Sequence, residues 1–260
     1  MKLSKKLLVF SVSLLAFAHL GFSQYIAEDN YIGGVATNAG YTYSDTIGNV
    51  FELTHTETFL SGGNITINIH GNYFDNIISG TGLNGTTLGD LFISTNGLAW
   101  GPGDDTTLDY IGGTTQTIWD YGVKLGVYDN QSGTDITSPV AATVHSDPSD
   151  IIQSTASGVW REFQEWQFNP GDRTEVGSAS WFIDTAGNVA NDDFLSITIF
   201  DYKNVLGVDD ANELSIHWTM TCGNDVIETT PVPEPSTIGI LGAAGLMGVL
   251  FVRRRLAKRK

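Results

Sequence analysis

Four histidines in the body of the chain, His55, His70, His145 and His217, are the first residues to ask for chemistry. They form no His-Glu-x-x-His, stand in no close pair and have no cysteine partners, so the sequence offers a zinc site no motif support. No Gly-x-Ser-x-Gly elbow is present, and no phosphate-binding glycine loop. Glu162 and Glu165, or another pair of acids, would suit a glycosidase only at a spatial separation that sequence does not reveal. The absence of any other catalytic constellation predicts a protein that is not an enzyme.

Binding chemistry is the better prospect. Calcium takes several oxygen ligands, and Asp104 with Asp105, the run Asp129 to Asp135, and Asp192 with Asp193 offer loop carboxylates. None has EF-hand spacing, and solvated loop acids are the plainer reading, so no cofactor is required and calcium alone is left open. Six tryptophans are first of all core material, but Trp100, beside Gly101-Pro102-Gly103, is placed to stack on a sugar if it is exposed. The single cysteine, Cys222, excludes an intramolecular disulfide, so stability must come from the core.

The elements that would carry these residues repeat every two positions. Ile65, Ile67 and Ile69 alternate with polar residues; so do Val123, Leu125 and Val127 around Lys124, Leu195, Ile197 and Ile199, and Leu214, Ile216, Trp218 and Met220. This is the pattern of half-buried strands. Glycine-rich stretches separate them, among them Gly62-Gly63, Gly80 to Gly85 and Gly112-Gly113, and mark turns and loops. Trp160 to Trp166 fits either a helical face or a strand, with the strand favoured. Many short strands and no long helical period predict an all-β fold, a single β-sandwich of jelly-roll type over residues 24–222. Trp218, Met220 and Cys222 share one face of its last strand, and Gly223-Asn224-Asp225 is read as the turn that ends it.

Charge is segregated along the chain. Of 13 Lys and Arg, only Lys124, Arg161, Arg173 and Lys203 lie between residues 24 and 230, where every acidic residue except Glu234 is found. So acidic a body disfavours nucleic acid and anionic lipid, which bind proteins by exchanging counterions for Lys and Arg.

The two ends carry the cations. Lys2, Lys5 and Lys6 precede an apolar run from Leu7 to Leu20, with Gly21 and Ser23 beyond it, the layout of a secretory signal peptide over residues 1–23 with cleavage after Ser23. Residues 223–232 read as a linker. Pro233-Glu234-Pro235 follows, then an uncharged apolar helix, 238–252, and the basic end 253–260 beginning Arg253-Arg254-Arg255. The helix is short for a bilayer span of about 20 residues, although the stem of Arg253 extends its reach. The positive-inside bias keeps both basic clusters cytoplasmic and puts the acidic body across the membrane.

In this order, Pro-Glu-Pro, glycine-bearing apolar helix and arginine cluster, residues 232–260 resemble the PEP-CTERM sorting signal of Gram-negative bacteria that make extracellular polysaccharide. The resemblance implies that Pro233, Glu234 and Pro235 are recognised by exosortase, a membrane-embedded protease-transpeptidase. The two prolines suit that role because they hold the segment extended. The Sec translocon and signal peptidase are the partners the N-terminus implies, and exopolysaccharide is the extracellular one. The route would pass through the inner membrane as a sorting intermediate and end at the outer surface or matrix. A second, weaker resemblance joins Trp218-Thr-Met-Thr-Cys-Gly-Asn-Asp225, with Gly89 to Thr95 and Trp119 to Gly122, to some exosortase-sorted surface proteins, and implies no biochemical role.

The reading is therefore an exported, exosortase-sorted envelope or matrix protein with a non-catalytic β-sandwich. A carbohydrate-binding module, calcium-assisted, is the first alternative and a secreted glycan-active enzyme the second.

Overall fold

The computed structural model describes residues 23–29, 49–79, 86–98, 117–126, 135–148, 151–153, 165–168, 174–185, 193–209 and 214–230. Its strands are β1 Ser23–Glu28, β2 Leu53–Ser61, β3 Asn64–Gly71, β4 Leu91–Ser94, β5 Tyr121–Lys124, β6 Val140–Ser146, β7 Ile151–Gln153, β8 Glu165–Phe168, β9 Glu175–Asp184, β10 Phe194–Ile199, β11 Ser215–Thr219 and β12 Val226–Thr229. Two short helices, α1 Asn72–Ser79 and α2 Tyr202–Leu206, and a 3-10 turn at Asn49–Phe51 join them. Among the described residues no helix is long and apolar enough to cross a membrane. Of the expected signal-peptide helix (1–23) only Ser23 is described, as the first residue of strand β1, and the tail helix (238–252) lies outside the described residues.

Ten strands form one antiparallel sheet in the order β1-β2-β3-β10-β9-β6-β5-β4-β11-β12, and β7 with β8 makes a separate hairpin. The all-β expectation holds, but the ladder is continuous. Two separately bonded sheets of a jelly roll are not what the pairing gives. Instead the sheet curls until its ends approach: the Leu53 N–H, at the start of β2, donates to Asp225 Oδ2, just before β12, at 2.6 Å.

Alternation explains the core. Ile65, Ile67 and Ile69 of β3 lie opposite Ile199, Ile197 and Leu195 of β10, which in turn face Ala179, Trp181 and Ile183 of β9. All of these side chains are buried. At 20 to 33 cal/mol per Å² of apolar surface, each isoleucine buried this way contributes roughly 2–3 kcal/mol before the entropy cost of ordering it. The amphipathic helix α1 adds Tyr73, Phe74 and Ile77, which pack against Trp218 with ring centroids 6.0 Å (Tyr73) and 5.5 Å (Phe74) away.

Trp218 and Met220 are fully buried and Cys222 packs against the core at partial exposure, as the alternation of the last long strand predicts. Gly223 takes a left-handed φ of 58° and donates its N–H to Met220 O, which makes the expected turn. One boundary changes. The segment 223–232, read as a linker, contains β12, paired to β11 from Thr219↔Val226 to Ile216↔Thr229. Its Val226 and Ile227 are completely buried because Asp225 ties the turn before them to Leu53.

A second, smaller layer lies over the outer face of β4, β5 and β11. Phe168 of β8 packs edge-on against Phe92 of β4 with ring centroids 5.9 Å apart, and Trp119 lies 6.2 Å from Phe92. Of the segment Trp160 to Trp166 only Glu165 and Trp166 are described, both in strand β8, whereas residues 160–164 lie outside the described residues. Gly122 is required under this layer, since a Cβ there would sit 2.5 Å from the Phe168 ring.

Candidate functional site

Most residues singled out by sequence lie outside the described residues: Pro233, Glu234 and Pro235, Arg253, Arg254 and Arg255, Asp104, Asp105 and Asp192, and Trp100. Asp193 is described, half-buried beside the first residue of β10. Of the acidic run 129–135 only Asp135 is described, and its carboxylate is already engaged. It accepts from the Thr137 N–H (3.0 Å) and hydroxyl (2.7 Å) and from the Ser138 hydroxyl (3.0 Å). These bonds hold its carboxyl below the usual carboxylate range, the Thr137 hydroxyl contributing most. This is a turn-forming aspartate leading into β6.

The structure brings together histidines that sequence left apart. Gly62 and Gly63, with φ of 58° and 84°, form the two-residue loop of the β2–β3 hairpin, a backbone only glycine adopts without strain. Their position fixes the register, and His55 falls directly opposite His70. The two rings stack with centroids 4.2 Å apart and an interplanar angle of 10°. Glu57, two residues along β2 on the same outer face, brings Oε2 to 3.4 Å from His70 Nε2. The ligating atoms of His55, Glu57 and His70 all lie within 4.8 Å of one another.

Neighbouring side chains hold this set in place. Phe194 of β10, opposite His70, packs its ring 4.7 Å from the His70 ring. Gln24 of β1 donates from Nε2 to Glu57 Oε1 at 3.1 Å, which leaves Oε2 for the histidine side. A bulge between Leu53 and His55 frees Thr54 from the ladder, and the Thr54 hydroxyl lies 3.0 Å from His55 Nδ1 and donates to His70 O at 3.3 Å. With all three side chains half-buried, the cluster is reachable from solvent yet partly desolvated.

Other acid and base groups of the outer layer, His217, Glu228 and Asp90 among them, are buried. His217 Nδ1 lies 3.1 Å from Glu228 Oε2, the side chains 0% and 4% exposed, with Trp119 and Phe92 rings against the imidazole. Alternation alone puts His217 on the solvent side of β11; the β7–β8 layer and Trp119 cover it. Asp90, 1% exposed, accepts from Lys124 Nζ (2.7 Å), Leu125 N–H (3.0 Å) and Phe168 N–H (3.1 Å), while Lys124 Nζ also donates to Phe168 O at 2.8 Å. Burial pushes the Asp90 carboxyl above its ordinary value despite the ammonium and the backbone donors that pull it down. The arrangement fastens β8 to the sheet.

The three segments of the weaker resemblance converge here. β4 lies between β5 and β11, so Gly89 to Thr95, Trp119 to Gly122 and Trp218 to Asp225 are spatial neighbours. Trp218 Nε1 donates to Gly89 O at 3.1 Å. Asp90, Asp120 and Asp225 each accept backbone N–H groups, Asp120 from Thr95 at 2.7 Å. Their work is to join strands.

No curated protein and no solved structure matches the chain. Residues 231–255 match the model of the PEP-CTERM protein-sorting motif, so this chain carries a PEP-CTERM sorting signal, the tag of exported proteins handed to an exosortase.

Proposed function

We propose that the protein is an exported, non-catalytic envelope or extracellular-matrix protein. Its β-rich body, residues 24–230, crosses the inner membrane, pauses there on its tail and is released to the outer surface of a Gram-negative cell by exosortase. The observation that carries this reading is the sorting motif at residues 231–255.

Physical features support the route. The N-terminal lysines and apolar run suit the Sec translocon and signal peptidase. Ser23, the proposed last residue of the leader, pairs with Leu60 at the first position of β1, so cleavage after it removes no other strand residue. At the other end Thr229 closes β12, and the Pro-Glu-Pro element begins four residues later in the sequence at Pro233, where its two prolines suit an extended segment for an enzyme cleft. The apolar run 238–252 and Arg253 to Arg255 then form a brief anchor with a cytoplasmic stop. Within the body, Asp90–Lys124 fastens β8 to the sheet and His217–Glu228 joins β11 to β12, which fits a scaffold role.

The test is fractionation of cells expressing the wild type or a variant with Pro233, Glu234 and Pro235 replaced by alanine. The variant is expected to accumulate uncut in the inner membrane. Identical processing and distribution of the two proteins would refute the reading.

A further inference from the structure

We infer that His55, Glu57 and His70 form a binding site for one divalent transition-metal ion, best suited to zinc. The inference does not depend on the sorting route. Two imidazoles and one carboxylate are a donor set for zinc, copper, iron or nickel, whereas calcium takes oxygen donors alone.

One distance already fits the ion, while the stacked His55 and His70 rings, whose lone pairs lie in nearly parallel planes, must turn about their side-chain torsions to converge on it. Tetrahedral zinc with bonds of about 2.0–2.2 Å holds neighbouring ligand atoms about 3.3–3.5 Å apart, and His70 Nε2 to Glu57 Oε2 is 3.4 Å. That separation is long for a charge-assisted hydrogen bond, which favours about 2.7–2.9 Å. The ligand atoms all lie within 4.8 Å of one another, so the widest pair must close by up to about 1.3–1.5 Å to reach the tetrahedral spacing. A fourth position is left for water.

The surroundings orient the donor atoms that ligation needs. The Thr54 hydroxyl gives its hydrogen to His70 O, so in its 3.0 Å contact with His55 Nδ1 it can only accept. With the Thr54 hydrogen on His70 O, the fitting His55 tautomer donates from Nδ1 and keeps its lone pair on Nε2, the arrangement by which outer partners prepare a metal-binding imidazole. Gln24 does the equivalent for Glu57, engaging Oε1 and orienting Oε2. An acidic chain, formal net charge −16, draws cations to the site. A bound ion would cross-link β2 to β3 and, through Gln24, steady the edge strand β1.

The experiment is equilibrium dialysis of the full-length chain in detergent against zinc at neutral pH, with bound metal measured by mass spectrometry and Tm followed by circular dichroism. One saturable equivalent is expected, undisturbed by excess calcium, together with a rise in Tm. His70→Gln should weaken binding by more than about 100-fold and Gln24→Ala, a positioning change, by about 10-fold. Should His70→Gln fail to fold, Glu57→Gln at the cluster's more exposed edge carries the same expectation of strong loss. No saturable binding by the wild type, or unchanged affinity in folded variants of these residues, would overturn the inference.

Discussion

Replacing Asp90 by asparagine tests how the outer layer is held. The change keeps the shape of the side chain and removes its charge. One oxygen can still accept from the Leu125 N–H, but the amide nitrogen then faces the Phe168 N–H and Lys124 Nζ, which stand 3.1 and 2.7 Å from Asp90 Oδ2. Three donors meet, and the ammonium loses its countercharge. Breaking a buried pair from one side costs about 3–5 kcal/mol, and the low end applies because the Lys124 side chain is 21% exposed. At about 2–4 °C per kcal/mol for a domain of this size, the expected fall in Tm is roughly 6–12 °C. The assay is thermal unfolding of the full-length protein in detergent by near-ultraviolet circular dichroism, which reports Trp119 and Phe168 packing. Lys124→Met in the Asp90→Asn background should recover part of the loss, giving a coupling energy of at least about 1 kcal/mol. A Tm shift under about 2 °C for Asp90→Asn would refute the reasoning.

Two further substitutions probe packing. Gly122→Ala places a methyl group 2.5 Å from the Phe168 ring and should cost about 1–3 kcal/mol, read as a lower urea midpoint; no change would mean that Phe168 does not seat there. Tyr73→Phe removes a fully buried hydroxyl that has no hydrogen-bond partner among the described residues, and whose ionisation burial already disfavours. It should leave stability equal or raise it by about 1 kcal/mol, and a loss above about 1 kcal/mol in calorimetry would show that the hydroxyl is bonded.

Much of the architecture was legible wherever a local period survives to the surface. Ile65, Ile67 and Ile69, and Leu195, Ile197 and Ile199, face inward as their spacing requires. Burial on both faces defeats that logic. Ser215, His217 and Thr219 look like the wet side of β11 yet are buried, because a distant hairpin supplies Phe168 as a lid. β12 escaped notice for a related reason. Val226-Ile227-Glu228-Thr229 is too short to show a period, and it is held by the long-range bond from Leu53 to Asp225.

The metal-type cluster was legible in principle. Gly62-Gly63 lies midway between His55 and His70, and a two-residue hairpin loop pairs residues equidistant from it. A search for neighbouring histidines in sequence misses such a pair, whereas folding the alternating segments about the glycines finds it. The contributions of Gln24 and Phe194 come from β1 and β10, whose place beside β2 and β3 depends on pairings with no local signature.

The central claim is that the two ends of the chain are removed on the way out of the cell, and intact-mass analysis of the protein recovered from the cell surface or medium tests it most directly. The account predicts a chain beginning at Gln24, retaining β12 through Thr229, and lacking the apolar run 238–252 and the arginine cluster that follows it. Recovery of an uncut chain, with Met1 and Lys260 both present, would contradict it.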